Sequence, residues 1–120
     1  MGITHVTTTV RPLSGGRKGY TDEFLVDTGV IDCLAPADAL RKAGIRKEGR
    51  DVYELANGQA VEYDYGFARI LFMGEETVAR IIFGPPEAEP LLGVVALEST
   101  GLAVDPNTKS LRRMHAKPLK

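Results

Sequence analysis

The sequence has little of several features that would define a class of protein. It contains no tryptophan, 7% aromatic residues and a single cysteine, Cys33. One cysteine cannot form an intrachain disulfide, and no Cys and His residues have the spacing of a zinc site. We therefore expect no disulfide framework, no metal and no other cofactor. A lone thiol also fits a reducing compartment, so we expect the protein to be cytoplasmic.

An excess of charge of one sign is also absent. The chain has 15 basic and 16 acidic side chains, which gives a formal net charge of -1. Binding to a phosphate backbone needs a positive surface, and no long run of Lys and Arg is present to form one. We therefore expect no nucleic-acid partner.

Long hydrophobic runs are missing as well. No apolar stretch approaches the roughly 20 residues that are needed to cross a bilayer. The opening residues, MGITHV, do not have the basic region and apolar core of a secretory signal. Because both features are absent, we expect no membrane partner.

What the chain does contain is the composition of one globular domain. Its 120 residues are 43% hydrophobic and 26% charged, which is close to the average for soluble proteins. No internal repeat and no shift in composition divides the sequence. We therefore predict a single domain over residues 1–120.

Most of the chain has the residue pattern of β-strands. Thr and Val dominate residues 3–10, residues 24–26 are a short apolar run, and residues 61–67 alternate between apolar and polar side chains. A strand that starts at residue 52 leads to Asn57-Gly58, the signature of a two-residue hairpin turn. Residues 61–73 are predicted to form one long strand, which ends at a turn over Gly74-Glu75-Glu76 before a returning strand over 78–83. The other predicted features are connections over 11–19 and 84–90 and a last hairpin around 106–107.

Two short helices are predicted between the strands. Residues 36–43 have Pro36 at the first helical position, Asp38 near the N-terminal end and Arg41 near the C-terminal end, and Gly44 follows them. Each of these residues is favoured at its position in a helix. A second short helical segment ends at Gly101. The expected fold class is therefore mainly β with one or two short helices.

The motif with the most chemical content is the turn Asp27-Thr28-Gly29, which follows the apolar run 24–26. By itself it is a weak signal, because any tight turn favours such residues. The glycine-tipped hairpin at Asn57-Gly58 and the run Leu91-Leu92-Gly93 follow it along the chain. In this order the segments resemble the retropepsin-like aspartic proteases, the group that includes the retroviral proteases and their bacterial relatives. The resemblance covers residues 24–105.

The resemblance implies a fold and a reaction. The fold is a closed β-barrel that forms one half of an acid protease. The reaction is peptide-bond hydrolysis by two Asp carboxyls that share one proton, so that one acts as base while the other acts as acid. This chain supplies one such residue, Asp27, so the resemblance implies a homodimer with an Asp27 from each subunit. In the family, Thr28 bonds across the dimer axis and Gly29 lets the backbone approach the substrate.

The resemblance also implies how a peptide or protein substrate is bound. The hairpin matches the flap of the family, a ribbon that closes over an extended peptide and pairs with it like a strand. Leu92 and Gly93 match the packing support under the catalytic turn. The implied substrate-binding residues are Ile31, Asp32, Asn57, Gly58, Gln59 and Ala60.

Three residues depart from the retroviral pattern. Val30 replaces the usual Ala or Ser, and Ile31 and Val94 replace an Asp and an Arg that pair near the dimer interface. Two alternatives to the peptidase therefore stay open. One is a non-catalytic peptide-binding or dimerisation module with the same fold. The other is an unrelated small β-barrel in which Asp27-Thr28-Gly29 is merely a hairpin turn.

Overall fold

A computed structural model describes residues 4–16, 18–114, 116–117 and 119 of the chain. Within these residues lie two short helices, α1 (Ala37–Lys42) and α2 (Val94–Thr100), and nine strands: β1 (His5–Arg11), β2 (Tyr20–Val26), β3 (Cys33–Pro36), β4 (Gly49–Glu54), β5 (Ala60–Phe72), β6 (Glu75–Gly84), β7 (Leu91–Leu92), β8 (Leu102–Val104) and β9 (Leu111–Arg113). Neither helix is long and apolar enough to span a membrane. The first strand was predicted from residue 3, which lies outside the described residues.

Six of the strands close into a barrel. Their order is β1-β2-β7-β3-β6-β5, and β5 pairs back with β1 to complete the ring. The pairs β2 with β7 and β3 with β6 are parallel, and the other pairs in the ring are antiparallel. Strand β4 lies outside the ring at the end of the sheet, where it pairs with β5. The predicted mainly β fold with a closed barrel and two short helices is confirmed.

The core is formed by every second side chain of the barrel strands. Successive side chains of a strand point to opposite faces, and this period places Ile70 of β5 and Ile81 of β6 inside the barrel, where both are fully buried. Phe24 of β2 and Leu92 of β7 are also fully buried, and α1 adds Leu40. Because Phe24 and Leu92 lie in the core, the backbone is held firmly where the Asp27 turn begins.

The first helix begins one residue later than predicted. Pro36 is the residue that caps α1 and is also the last residue of β3, with φ -57° and ψ 135°. The φ of proline suits a helix, but the pairing of β3 with β6 keeps ψ extended. The end of α2 is confirmed, because Gly101 follows it in the left-handed conformation with φ 76°.

The hairpin turns differ from the prediction in one respect. A two-residue turn at Asn57-Gly58 requires a positive φ at both residues, and Gly58 has one (85°) whereas Asn57 does not. The loop instead contains three residues, because Leu55 donates its N–H to the Gln59 carbonyl at 2.8 Å. A different hairpin, between β5 and β6, has a two-residue turn. It is Met73-Gly74, with φ values of 54° and 75°.

Candidate functional site

The Asp27-Thr28-Gly29 turn directly follows β2. The backbone N–H of Asp27 donates to the carbonyl of Leu92 in β7 at 3.1 Å, which fixes the start of the turn. The Asp27 carboxylate accepts a hydrogen bond from the N–H of Gly29 at 2.9 Å, as Asp side chains in turns commonly do. Asp27 is half-buried and Thr28 is exposed. The carboxylate is therefore held in one orientation and is still accessible from solvent.

The turn connects two strands that are not neighbours. It runs from β2 to β3, and β7 lies between these two strands in the sheet. A hairpin turn joins adjacent antiparallel strands. Asp27-Thr28-Gly29 is therefore not a hairpin turn, so this part of the unrelated-barrel alternative is wrong.

Gly93 packs against the segment that follows the turn. A Cβ atom on this residue would lie 2.6 Å from the carbonyl oxygens of both Ile31 and Asp32, closer than any side chain can approach. Its N–H also donates to the Sγ atom of Cys33 at 3.4 Å. The run Leu91-Leu92-Gly93 therefore ends in glycine because the backbone of residues 31–32 occupies the place of a side chain.

The first turn of α2 holds the same segment. Val94 donates its N–H to the carbonyl of Val30 at 2.8 Å, and Val95 donates to the carbonyl of Ile31 at 3.2 Å. The first N–H groups of a helix have no partner within the helix. The carbonyls of residues 30–31 thus accept hydrogen bonds from N–H groups of α2 that have no partner within the helix. The same bonds fix the backbone of residues 30–31.

A groove of about 600 Å³ lies between this segment and β4. Its size is in the range of sites that bind ligands in proteins. The lining is mostly apolar and includes four charged side chains. The lining residues are Gly29, Val30, Ile31, Asp32, Leu34, Asp51, Val52, Tyr53, Glu54, Leu55, Ala56, Tyr63, Arg80, Ile82 and Leu91.

The groove brings together some of the predicted site residues and leaves out others. Gly29, Ile31 and Asp32 line it, and Asp27 and Thr28 directly precede Gly29 in the turn. Ile31 is 67% exposed, so its apolar side chain is free to contact another molecule. The remaining predicted residues, Asn57, Gly58, Gln59 and Ala60, lie at the tip of the β4–β5 hairpin, whereas the parts of the hairpin that line the groove are residues 51–56 and Tyr63.

A polar network in the groove was not predicted from the sequence. The Tyr53 hydroxyl donates to the Asp32 carboxylate at 3.3 Å, and the Arg80 guanidinium donates to the Asp51 carboxylate at 3.1 Å. The guanidinium carbon of Arg80 lies 3.7 Å from the centre of the Tyr65 ring, in a cation–π contact. The sequence contained one signal of this network, because Arg80 is a single charged residue within the apolar stretch of β6. Its partners could not be predicted, since they come from other strands.

Burial and neighbouring charges set the protonation of this network. Burial raises the pKa of Asp32, and the positive charge of Arg80 opposes this effect. Burial also raises the pKa of Tyr53, and a hydrogen-bonding interaction with Arg80 opposes it. The same interaction with the Tyr53 hydroxyl is the main cause that raises the pKa of Arg80. Arg80 is therefore a permanent positive charge between two acidic side chains.

Two further observations concern the identity of the site. In the part of the chain that the structure describes, no three His, Cys, Asp or Glu side chains lie together as a set of metal ligands. The sequence was compared with protein-family models and with curated proteins, and it matches none of them. The resemblance to the retropepsin-like proteases therefore rests on the motifs and on their order along the chain.

Proposed function

We propose that the protein is an aspartic endopeptidase of the retropepsin-like kind that acts as a homodimer. The observation that carries the proposal is one oriented carboxylate, Asp27, in a turn that leads directly into a groove of suitable size for a peptide. The glycine support at Gly93 and the hairpin on the opposite side of the groove agree with the same proposal.

The proposed reaction uses two Asp27 carboxyls, one from each chain. The ionised carboxylate takes a proton from a water molecule, whose oxygen attacks the peptide carbonyl carbon, while the other carboxyl donates its proton to the carbonyl oxygen. The C–N bond then breaks as the leaving nitrogen receives the proton that was taken from water, and the proton that was given to the carbonyl oxygen returns to the second carboxylate as the carbonyl of the product forms. Because each chain supplies one Asp27, a monomer cannot divide the roles of acid and base.

The groove favours a substrate in the extended conformation. Strand β4 lies at the end of the sheet, so its outer edge can form main-chain hydrogen bonds with an added strand. Three large apolar side chains of the groove, Ile31, Val52 and Leu55, are exposed and can contact substrate side chains. The proposed substrate is therefore an unfolded segment of a peptide or protein.

The substitution Asp27→Asn tests the mechanism. Asn has the same size but cannot exchange a proton, so cleavage of carboxymethylated casein should fall by roughly three to four orders of magnitude, with the melting temperature nearly unchanged. Asp22→Asn is a matched control, because it makes the same chemical change at an exposed position of β2 and should keep the parent activity. Equal cleavage by the parent and Asp27→Asn chains would show that the mechanism is wrong.

Mixing parent and Asp27→Asn chains tests the need for two subunits. With about ten variant chains per parent chain, random exchange leaves roughly one parent chain in eleven with a parent partner. Activity per parent chain should therefore fall to about a tenth once native mass spectrometry shows that exchange is complete. If activity per parent chain stays constant, each chain contains a complete site and the homodimer proposal is wrong.

Val30 and Ile31 favour the second candidate, a non-catalytic peptide-binding or dimerisation module. In this case the residues that differ from the retroviral pattern would adapt the groove for binding alone. The casein assay separates the two functions. A binding module would retain casein peptides without producing new N-termini, and the parent and Asp27→Asn chains would retain them equally.

A further inference from the structure

Strand β4 forms one side of the groove but lies outside the barrel. It pairs with β5 along its length, and it is at the end of the sheet. A strand that pairs with a single neighbour can detach by local unfolding more easily than a strand of the closed barrel, which has a neighbour on each side. The contacts that hold β4 in place, other than its pairing with β5, therefore determine the width of the groove.

Arg80 reaches β4 from two strands away. It lies on β6, opposite Phe67 of β5, and its guanidinium passes the ring of Tyr65 at 3.7 Å to reach Asp51 of β4 at 3.1 Å. A planar guanidinium stacked on a ring has less freedom to lose when it forms an ion pair. Arg80 thus links β4 directly to a strand of the barrel.

A second contact connects β4 with the segment after the catalytic turn. Tyr53 of β4 donates its hydroxyl to the Asp32 carboxylate at 3.3 Å. The backbone of Asp32 is packed against Gly93. Two contacts besides the pairing with β5 therefore hold β4, the Tyr53–Asp32 hydrogen bond to the fixed segment and the Arg80–Asp51 ion pair to a strand of the barrel.

We propose that Arg80 is a positioning residue that holds β4 and its hairpin in place over the groove. The kinetic consequence rests on the proposed peptidase function. Without Arg80, a smaller fraction of molecules would have the hairpin in the position that binds an extended peptide, so the apparent affinity would fall by that fraction. The Asp27 carboxyl is not altered, so KM should rise while kcat changes little.

Arg69 provides a matched control for this role. It also forms an ion pair, because Arg69 of β5 donates to Glu76 of β6 at 2.8 Å. These two strands are already neighbours in the barrel, so the pair attaches no further strand; Arg69 also donates to the Leu13 carbonyl at 3.0 Å, in the loop between β1 and β2 and away from β4. The side chains of this pair are about as exposed as those of the Arg80–Asp51 pair, so the two variants differ mainly in which strands the ion pair joins.

The test compares Arg80→Met, Arg80→Lys and Arg69→Met in the full-length protein. Hydrogen exchange of residues 49–54, followed by mass spectrometry, should be about tenfold faster in Arg80→Met than in Arg69→Met. KM for a quenched fluorescent peptide that spans a casein cleavage site should rise about tenfold, with kcat within about twofold of the parent. Arg80→Lys keeps the positive charge but loses the planar group that stacks on Tyr65, so its exchange rate and KM should lie between those of the parent and Arg80→Met. If Arg80→Met does not fold, Arg80→Lys takes its place in the comparison.

Three results would overturn the proposal. They are equal exchange of residues 49–54 in the Arg80 and Arg69 variants, faster exchange without a change in KM, and a loss of kcat at constant KM. If the parent protein cleaves no peptide, the peptidase proposal fails by itself, and the exchange comparison alone decides whether Arg80 holds β4.

Discussion

One side of the groove, residues 27–32, is bonded to residues far along the chain, whereas the other side, the β4–β5 hairpin, is bonded mainly to itself. Asp27 donates to Leu92, and Val30 accepts from Val94, so the first side is part of the barrel and α2. The hairpin loop closes through a bond from Leu55 to Gln59. Its Asn57 side chain accepts from Gln59, which is also a local contact.

This difference fits the two tasks that the proposed reaction requires. A carboxylate that must face a partner at a constant distance needs a segment that cannot shift. An element that covers a peptide must move to admit it. In the proposed peptidase, residues 27–32 would therefore carry the chemistry and the hairpin would control access to the groove.

The largest expected effect concerns Cys33, which lies on the fixed side of the groove. Burial raises the pKa of its thiol to about 11 from an ordinary 9.0. At pH 8 the folded protein should therefore contain roughly a hundredfold less thiolate than the urea-unfolded chain, and iodoacetamide should label it at least that much more slowly. The unfolded thiol loses its proton first, so the stability of the fold should fall as the pH rises from 9 to 11. Equal labelling rates would mean that this side opens freely.

A smaller effect is expected for Gly93→Ala, which places a methyl group against the carbonyl oxygens of Ile31 and Asp32. These backbone atoms cannot move aside without disturbing the turn, so the free energy of unfolding should fall by about 2 to 3 kcal/mol. Urea unfolding at constant protein concentration measures the change. A loss below about 0.5 kcal/mol would show that residues 27–32 are less fixed than we infer.

The smallest effect is expected for Gly58→Ala on the hairpin side. No atom lies within 4 Å of the position that the new methyl group would occupy, but φ is 85°. The cost is then that of the left-handed conformation alone, about 1 kcal/mol. Urea unfolding of both variants under the same conditions makes the comparison. If Gly58→Ala is as destabilising as Gly93→Ala, the two sides of the groove are equally constrained.

Local sequence patterns predicted the elements around the site where the signal lies within a few residues. The alternation over residues 61–67 belongs to β5, and the proline-rich residues 85–90 connect β6 to β7. Gly101 ends α2 as expected. Such features depend on backbone preferences and on side-chain periodicity, which neighbouring residues determine.

The errors arose where pairing between strands decided the turn. Asn57-Gly58 has a strong turn preference, but the loop took three residues. Met73 has no such preference, yet it adopts φ 54° because Phe72 and Glu75 are paired on either side of the turn. The register of a long hairpin involves many hydrogen bonds, so it outweighs the preference of one residue.

By itself the sequence determined where β1, the long β5–β6 hairpin, the end of α2 and the Asp27-Thr28-Gly29 turn occur, because each depends on residues adjacent in the chain, whereas β3 was not predicted. Only the tertiary structure decided that β1 closes on β5, that β7 lies between β2 and β3, and that Arg80 reaches Asp51 across β5. These contacts join segments that are distant in the chain, and the alternation of side chains that marks a strand is the same whichever strand becomes its neighbour.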